Sequence, residues 1–408
     1  MPRALTADAT ALLRRYGGRG EHGYPFGIPR GDVLALVRRW GRDRLADALA
    51  AVVGRLPYPQ RPPSLGEAEA ALRRLALRTD GGLSPPPALA SVSAVRHVPP
   101  GLRRARVLAV APMSAPWVVA FSERFHFADR RLVRTARAVS AAEAWRDHPR
   151  AVATRAVVHA LVGDHRQPER HKRAGLGQRE LWAALRERSA LRSAGHWPAP
   201  VARDLVLWTG AQDALDWCGG WGDRLAGFLT AGAVLRRATV IEPRASACAA
   251  FNEQVRLAAA VLDRVPRVDI MCAAAERALP RMRAASFDLV LTSMPYADLE
   301  VYADRGRGGA PCVSDTFGSS VAAFVAGFLR PCVRHSVRLL RRGGWLCLNV
   351  ADYSPPGGGG VVRLVDPTLA AARDAGAQFV GVVLLRRQRG WRPGGSEDAE
   401  PLLVWRRP

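Results

Sequence analysis

Lysine is almost missing from this 408-residue chain: Lys172 stands alone among 60 Lys and Arg residues. Arginine carries the positive charge instead, and Ala and Gly are abundant, a pattern that a GC-rich genome imposes on codon choice. That bias accounts for Arg over Lys. It does not account for the shortage of acids, with only 36 Asp and Glu and a formal net charge of +24. A chain this basic is expected to meet a polyanion, most often a nucleic acid.

Cysteine is also sparse. Cys218, Cys248, Cys272, Cys312, Cys332 and Cys347 all lie in the second half and form no CxxC pair. That excludes a zinc-ribbon pattern and a disulfide framework, so no metal is expected and the thiols read as reduced residues of an intracellular, reducing compartment, cytoplasm or nucleus. No apolar run approaches the ~20 residues of a membrane span, and no signal-peptide core is visible. No membrane partner is expected, and the oligomeric state is not legible.

With 48% hydrophobic residues the chain has ample material for a core, and its length allows two or three domains. Up to residue 196 the pattern is mainly helical, with apolar residues recurring at three and four over Gly31–Trp40, Arg44–Leu56, Leu65–Leu77 and Ala141–Val162. Prolines at 57, 59, 62, 63 and 85–87 separate these runs, and a short β-like passage, Arg106–Phe121, interrupts them. Two basic clusters, Arg130–Arg137 and Arg166–Arg179, could track phosphates if they share a face.

After Trp197-Pro198-Ala199-Pro200 strands alternate with helices. Strand-like runs are Ala214–Trp217, Ala238–Ile241, Val268–Cys272, Phe287–Thr292, Gly344–Val350, Phe379–Leu385 and Pro401–Trp405. The expectation is an α/β fold, a doubly wound sheet of seven strands over 197–408, preceded by a helical basic region over 1–196. Ala303–Ser320 and Ser354–Gly360 resist regular structure and read as loops at the ligand-bearing edge.

Two stretches carry chemistry. Asp216-Trp217-Cys218-Gly219-Gly220-Trp221-Gly222-Asp223 follows the first strand and opens a helix, where glycines let a ligand approach the backbone. The next strand ends in Glu242, an acid placed to accept both hydroxyls of a ribose. This turn lacks the GxGxxG of a dinucleotide fold. The second stretch is Phe287–Tyr302, FDLVLTSMPYADLEVY, an apolar strand that stops at a Ser-Met-Pro-Tyr corner.

Asp-x-Cys-x-Gly-x-Gly resembles motif I of S-adenosyl-L-methionine-dependent methyltransferases, and Ser293-Met294-Pro295-Tyr296 resembles motif IV of their amino-methylating members, usually (Asp/Asn/Ser)-Pro-Pro-(Tyr/Phe/Trp). The resemblance is to DNA N4-cytosine and N6-adenine methyltransferases, and within them to a phage and viral group with DPCAGWGGRL-like and TSPPYFDLEIY-like signatures. It covers roughly residues 197–408.

The resemblance implies a Rossmann-like class I methyltransferase domain. It implies cofactor contacts from Asp216, Cys218, Gly219, Gly220, Gly222, Asp223, Glu242 and Glu276. It further implies that Ser293 Oγ and the Met294 carbonyl accept the two N–H bonds of a base amino group, with Pro295 fixing the corner and Tyr296 stacking on a flipped base. Asp298, Glu300 and Tyr302 match the DLE(I/V)Y tail and shape the base pocket. Met294 departs from the usual proline, although main-chain acceptance needs only a carbonyl. The serine favours cytosine slightly over adenine. RNA or a protein amide as the acceptor, and a non-catalytic nucleic-acid binder with the same fold, stay open.

Overall fold

A computed structural model describes residues 6–20, 23–78, 83–85, 92, 95, 99–112, 115–135, 138–162, 175–192, 195–297, 301–302, 312–317, 320–354, 360–386 and 399–408. The chain forms two compact units. One comprises Met1–Pro62 with Ala128–Gly195, and the other Pro63–Phe127 with His196–Pro408. The sequence placed one boundary near residue 196; the structure instead assigns 63–127 to the same unit as the C-terminal half. The first unit holds more than half of the chain's excess positive charge.

That first unit is helical. Its helices include Ala7–Tyr16, Arg30–Trp40, Arg42–Val53, Ala141–Asp147, Pro149–Val162 and Gln178–Arg188. They enclose a core that contains Leu12, Phe26, Leu45, Leu49, Val152, Val157 and Leu181. The run 141–162, expected as one helix, is two. Pro149 has no N–H to donate to a preceding turn, so the second helix starts on it. Arg14, Arg15, Arg38, Arg39 and Arg42 are exposed, whereas most of the Arg166–Arg179 cluster lies outside the described residues.

The second unit is built on one eight-stranded sheet, not seven. Its strands are β1 Val107–Pro112, β2 Asp213–Asp216, β3 Arg237–Glu242, β4 Arg267–Cys272, β5 Phe287–Ser293, β6 Leu340–Asn349, β7 Gln378–Arg386 and β8 Ala399–Arg406. Their order is β1-β7-β8-β6-β5-β2-β3-β4. The extra strand is β1, the β-like passage at 106–121, which pairs in parallel with β7 at the edge. All neighbours are parallel except β8, which runs antiparallel between β6 and β7. Leaving β1 aside, this is the fold of S-adenosyl-L-methionine-dependent class I methyltransferases.

The central strands read as nearly unbroken apolar runs because helices cover both faces. Leu215, Ile241, Val290, Leu346 and Leu348 face one buried cluster with Phe324 and Phe328. Ala214, Leu289, Leu291 and Cys347 face another with Val201 and Leu205 of the helix Ala199–Thr209. Before β6 a π-helical stretch, Val325–Leu329, leads into the helix Arg330–Leu339. Among the described residues no helix is long and apolar enough to cross a membrane.

At the N-terminal ends of the strands, Asp288 of β5 accepts the amides of Gln212 and Asp213 at 3.0 and 2.9 Å and pairs with Arg341 at 2.7 Å. This charged clip lies opposite the edge where the motifs gather. Crossovers leave β2 toward β3 on one side and return to β5 on its other side, so β2 and β5 flank the switch point where such sheets bind ligands.

Candidate active site

The glycine turn after β2 is held from beneath by Asp216, which has no solvent exposure. Its Oδ2 accepts from Arg224 Nε at 2.8 Å; its Oδ1 accepts from the Cys218 amide at 3.1 Å and from Thr292 Oγ1 at 2.7 Å. Thr292 belongs to β5, so one carboxylate ties the glycine turn to the strand that ends in the Ser-Met-Pro-Tyr corner. Arg224 also donates to the Cys218 carbonyl and lies 5.7 Å from the Trp197 ring centre. Every residue of the helix Asp223–Leu229 is buried, and its lone arginine is the internal counterion. An arginine eight residues after Asp216 in so apolar a helix was a signal the sequence reading passed over.

Two glycines of the turn are dictated by backbone geometry. Gly220 has φ +60° and Gly222 φ +72°, in the left-handed region that L side chains avoid. A Cβ on Gly222 would sit 2.1 Å from Oε1 of the buried Gln254, whereas one on Gly220 would meet nothing nearer than 3.7 Å. Gly220 is therefore the point where the backbone is open to a ligand. Gly219 donates its amide to the Ile241 carbonyl at 3.0 Å, which lays the turn along β3.

Glu242, at the end of β3, accepts the Gly220 amide on Oε2 at 2.9 Å and Arg244 Nε on Oε1 at 2.7 Å. Burial works against the charge of Arg244, but Glu242 beside it raises its pKa overall. The guanidinium lies 4.4 Å from the Trp221 ring centre and 4.6 Å from that of Tyr302, and the two rings are 5.7 Å apart. Tyr302, from the tail of the second motif, thus meets Trp221 of the first. Asp298 and Glu300, expected beside it, lie outside the described residues.

Asp223 is buried and committed inward. It takes His196 Nδ1 at 2.9 Å and the Trp197 amide at 3.0 Å, while His196 Nε2 meets Glu123 at 2.8 Å. Glu123 and Asp223 thus bracket the two ring nitrogens of His196. Burial pushes the Asp223 pKa up, but the charge and hydrogen bond of His196, with Ser122, outweigh it and leave it lowered. Cys218 is pushed well above the ordinary thiol range by burial and by Asp216 and Glu242. Burial and the charge of Glu276 likewise push up Cys332, which places Glu276 within electrostatic reach of that buried thiol. Asp269, on the outer strand β4, pairs with Arg267 at 3.0 Å.

At the second motif, Ser293 closes β5 opposite Asn349 of β6. Met294 is 2% exposed, its side chain in the core. Pro295 and Tyr296 are half-buried, and Ala297 turns the chain with φ +44°, a conformation that costs a non-glycine residue about 1 kcal/mol or more. Tyr353, which the sequence did not single out, stands edge-on to Tyr296 with ring centres 5.6 Å apart and donates to the Tyr296 carbonyl at 3.4 Å. Asp352 instead accepts the amides of Leu364 and Val365 at 2.8 and 2.9 Å, satisfying the start of the helix Val365–Asp374.

The chain-end edge of β2, β3 and β5 therefore offers an open glycine, a ribose-ready acid, a hydroxyl and two aromatic rings. The turn and Glu242 could hold a ribose-bearing cofactor, since Glu242 Oε2, which accepts the Gly220 amide, retains a second lone pair.

No family model matches the chain, and no curated protein matches it. Solved structures do. The [4+2]-cyclase SpnF is 16% identical, with 52% of this chain and 83% of that chain covered and a TM-score of 0.35. TrmN from Thermus thermophilus is 15% identical over 51% of this chain and 48% of that one, with a TM-score of 0.32. A protein described as a candidate DNA modification methylase, also from Thermus thermophilus and solved with S-adenosyl-L-methionine, is 25% identical over 33% of this chain and 54% of that one, at 0.24. The chain spans about half the length of the last two. All three TM-scores lie below 0.5, so the acceptor is a question for this chain's own residues.

Proposed function

We propose that this protein transfers a methyl group from S-adenosyl-L-methionine to the exocyclic amino nitrogen of a DNA base, cytosine N4 slightly before adenine N6. The observation that carries the reading is the Ser293–Tyr296 corner standing beside the glycine turn at the switch point, with Thr292 and Asp216 locking the two together at 2.7 Å. When bound, the cofactor supplies an electrophilic sulfonium methyl group. Gly220 and Glu242 hold its nucleoside part, with Glu276 a further contact; Asp216 and Asp223 act beneath the turn, keeping its shape.

A base amino group is a weak nucleophile because its lone pair is spread into the ring. Ser293 Oγ and the Met294 carbonyl, accepting its two N–H bonds, draw the nitrogen toward tetrahedral geometry and stabilise the charge that develops. Tyr296 offers a face for a base taken out of the stack, and Tyr353 walls it. The corner's fixed backbone aligns nitrogen and methyl, which is where most of the rate gain originates. The excess of arginine on the helical unit supports phosphate contacts that hold the duplex and weaken with salt.

Labelled cofactor incubated with DNA, RNA and protein, followed by mass spectrometry of nucleosides and peptides, tests this. Labelled N4-methylcytosine or N6-methyladenine in DNA is the expected product. Label confined to RNA or protein, or none in a preparation that binds the cofactor, would remove the DNA reading.

A further inference from the structure

Asn349 sits at the end of β6, 2% exposed, and all three of its polar contacts lie at the corner. Trp197 Nε1 reaches its Oδ1 at 3.1 Å, Ser293 Oγ reaches the same Oδ1 at 3.3 Å, and its Nδ2 faces the Pro401 carbonyl at 3.2 Å. The donors and acceptors here are not interchangeable. An indole N–H can only donate and a main-chain carbonyl can only accept, so the amide is fixed with oxygen toward Trp197 and nitrogen toward Pro401. Ser293, meeting an amide oxygen, can then only donate to it.

We infer that Asn349 is the positioning residue for methyl transfer: by accepting the hydrogen bond of the Ser293 hydroxyl it leaves only lone pairs of the serine oxygen to face the amino group. This rests on the amino-transfer reading above. A serine hydroxyl turns freely and offers either a proton or a lone pair to a neighbour. Facing an amino N–H, only the lone pair is productive, and a proton pointed the same way would repel the substrate. An aspartate or asparagine at the same position brings an oxygen that needs no such setting. Serine needs a partner that accepts and does nothing else, and the Asn349 oxygen is that partner. Trp197 and Pro401 keep the amide from flipping.

The test is a double-variant cycle. Asn349→Leu is expected to lower kcat by roughly tenfold to a hundredfold, the range lost with outer partners of metal ligands, while the Kd for S-adenosyl-L-methionine stays within about twofold. Ser293→Asp alone is expected to be poor, because a carboxylate would meet the Asn349 oxygen. Combined with Asn349→Leu, Ser293→Asp removes that conflict and recovers part of the lost kcat. Equal losses of kcat and cofactor affinity in Asn349→Leu, with no recovery in the double variant, would mean a purely structural asparagine and overturn the inference.

A second readout does not need turnover. The Trp197 indole N–H is expected to exchange slowly with solvent deuterium in the wild type and faster in Asn349→Leu, followed by nitrogen-edited NMR. If no nucleobase accepts a methyl group, the activity reading falls and this measurement judges the network alone. Identical exchange in the two proteins would then overturn it.

Discussion

Replacing Gly222 by alanine should damage the glycine turn in two separable ways. Its φ of +72° is one that an L side chain occupies at a cost of about 1–2 kcal/mol. The new Cβ would also lie 2.1 Å from Gln254 Oε1 and 2.7 Å from Nε2, and Gln254 is fully buried. Overpacking of that kind costs about 1–3 kcal/mol. The two together come to about 2–5 kcal/mol, a large share of the stability of an ordinary domain. Urea unfolding followed by tryptophan fluorescence suits the measurement, because Trp217 and Trp221 are buried in the turn itself. The second variant separates the terms. Neither polar atom of the Gln254 side chain has a hydrogen-bond partner, so Gln254→Ala alone trades lost packing against relief of a desolvated amide and should be near neutral. Gly222→Ala with Gln254→Ala should regain the overpacking part and keep only the backbone cost. A Gly222→Ala protein within about 0.5 kcal/mol of wild type, or a double variant no better than the single, refutes this account of the turn.

Three further outcomes are expected. Met294→Pro should retain or raise methyl transfer while lowering the melting temperature, because it stiffens the corner but deletes a side chain packed in the core; a folded but inactive variant means that the corner does not present its carbonyl as argued. Asp223 has a lowered pKa in the fold, so its contribution is present above its unfolded pKa of about 3.9 and is lost as pH falls through the lower folded value. Asp223→Asn should therefore flatten the acid limb of a stability-against-pH curve below about pH 4, and an unchanged limb in that variant would show that the buried cluster with His196 and Glu123 carries no linkage. Tyr353→Leu should raise KM for DNA more than it lowers kcat, since the ring walls the base beside Tyr296; a pure kcat loss would place Tyr353 in alignment of the reacting atoms instead.

The legible parts of this chain were local ones. Parallel strands buried on both faces announce themselves as short apolar runs, so β2 to β8 could be read from periodicity and punctuation. β1 could be seen as a strand-like passage but not placed, because its partner is Val382–Arg386, far along the chain. Packing of 63–127 with the later half is invisible for the same reason. At the site, the glycines, Glu242 and the Ser-Met-Pro-Tyr corner follow from motif spacing. Arg224 under Asp216, Tyr353 beside Tyr296, and the join from Trp197 to Asn349 across 152 positions depend on contacts that no periodicity encodes. Asn349 and Asp352 are two polar residues near one strand end, and only the fold separates a partner of Ser293 from a helix-capping acid.

The placement of β8 bears on when this protein becomes competent during synthesis. β8 is synthesised after β1 to β7, yet it occupies an inner position, flanked by β6 and β7. Until it emerges, β6 presents an unpaired edge and β1, made long before, has a partner with nothing beyond it to anchor it. The Pro401 carbonyl that locks the Asn349 amide arrives with the same strand. A nascent chain can therefore complete its glycine turn and its basic helices well before the serine at the corner acquires its orientation. Setting of the Ser293 hydroxyl is thereby tied to closure of the sheet.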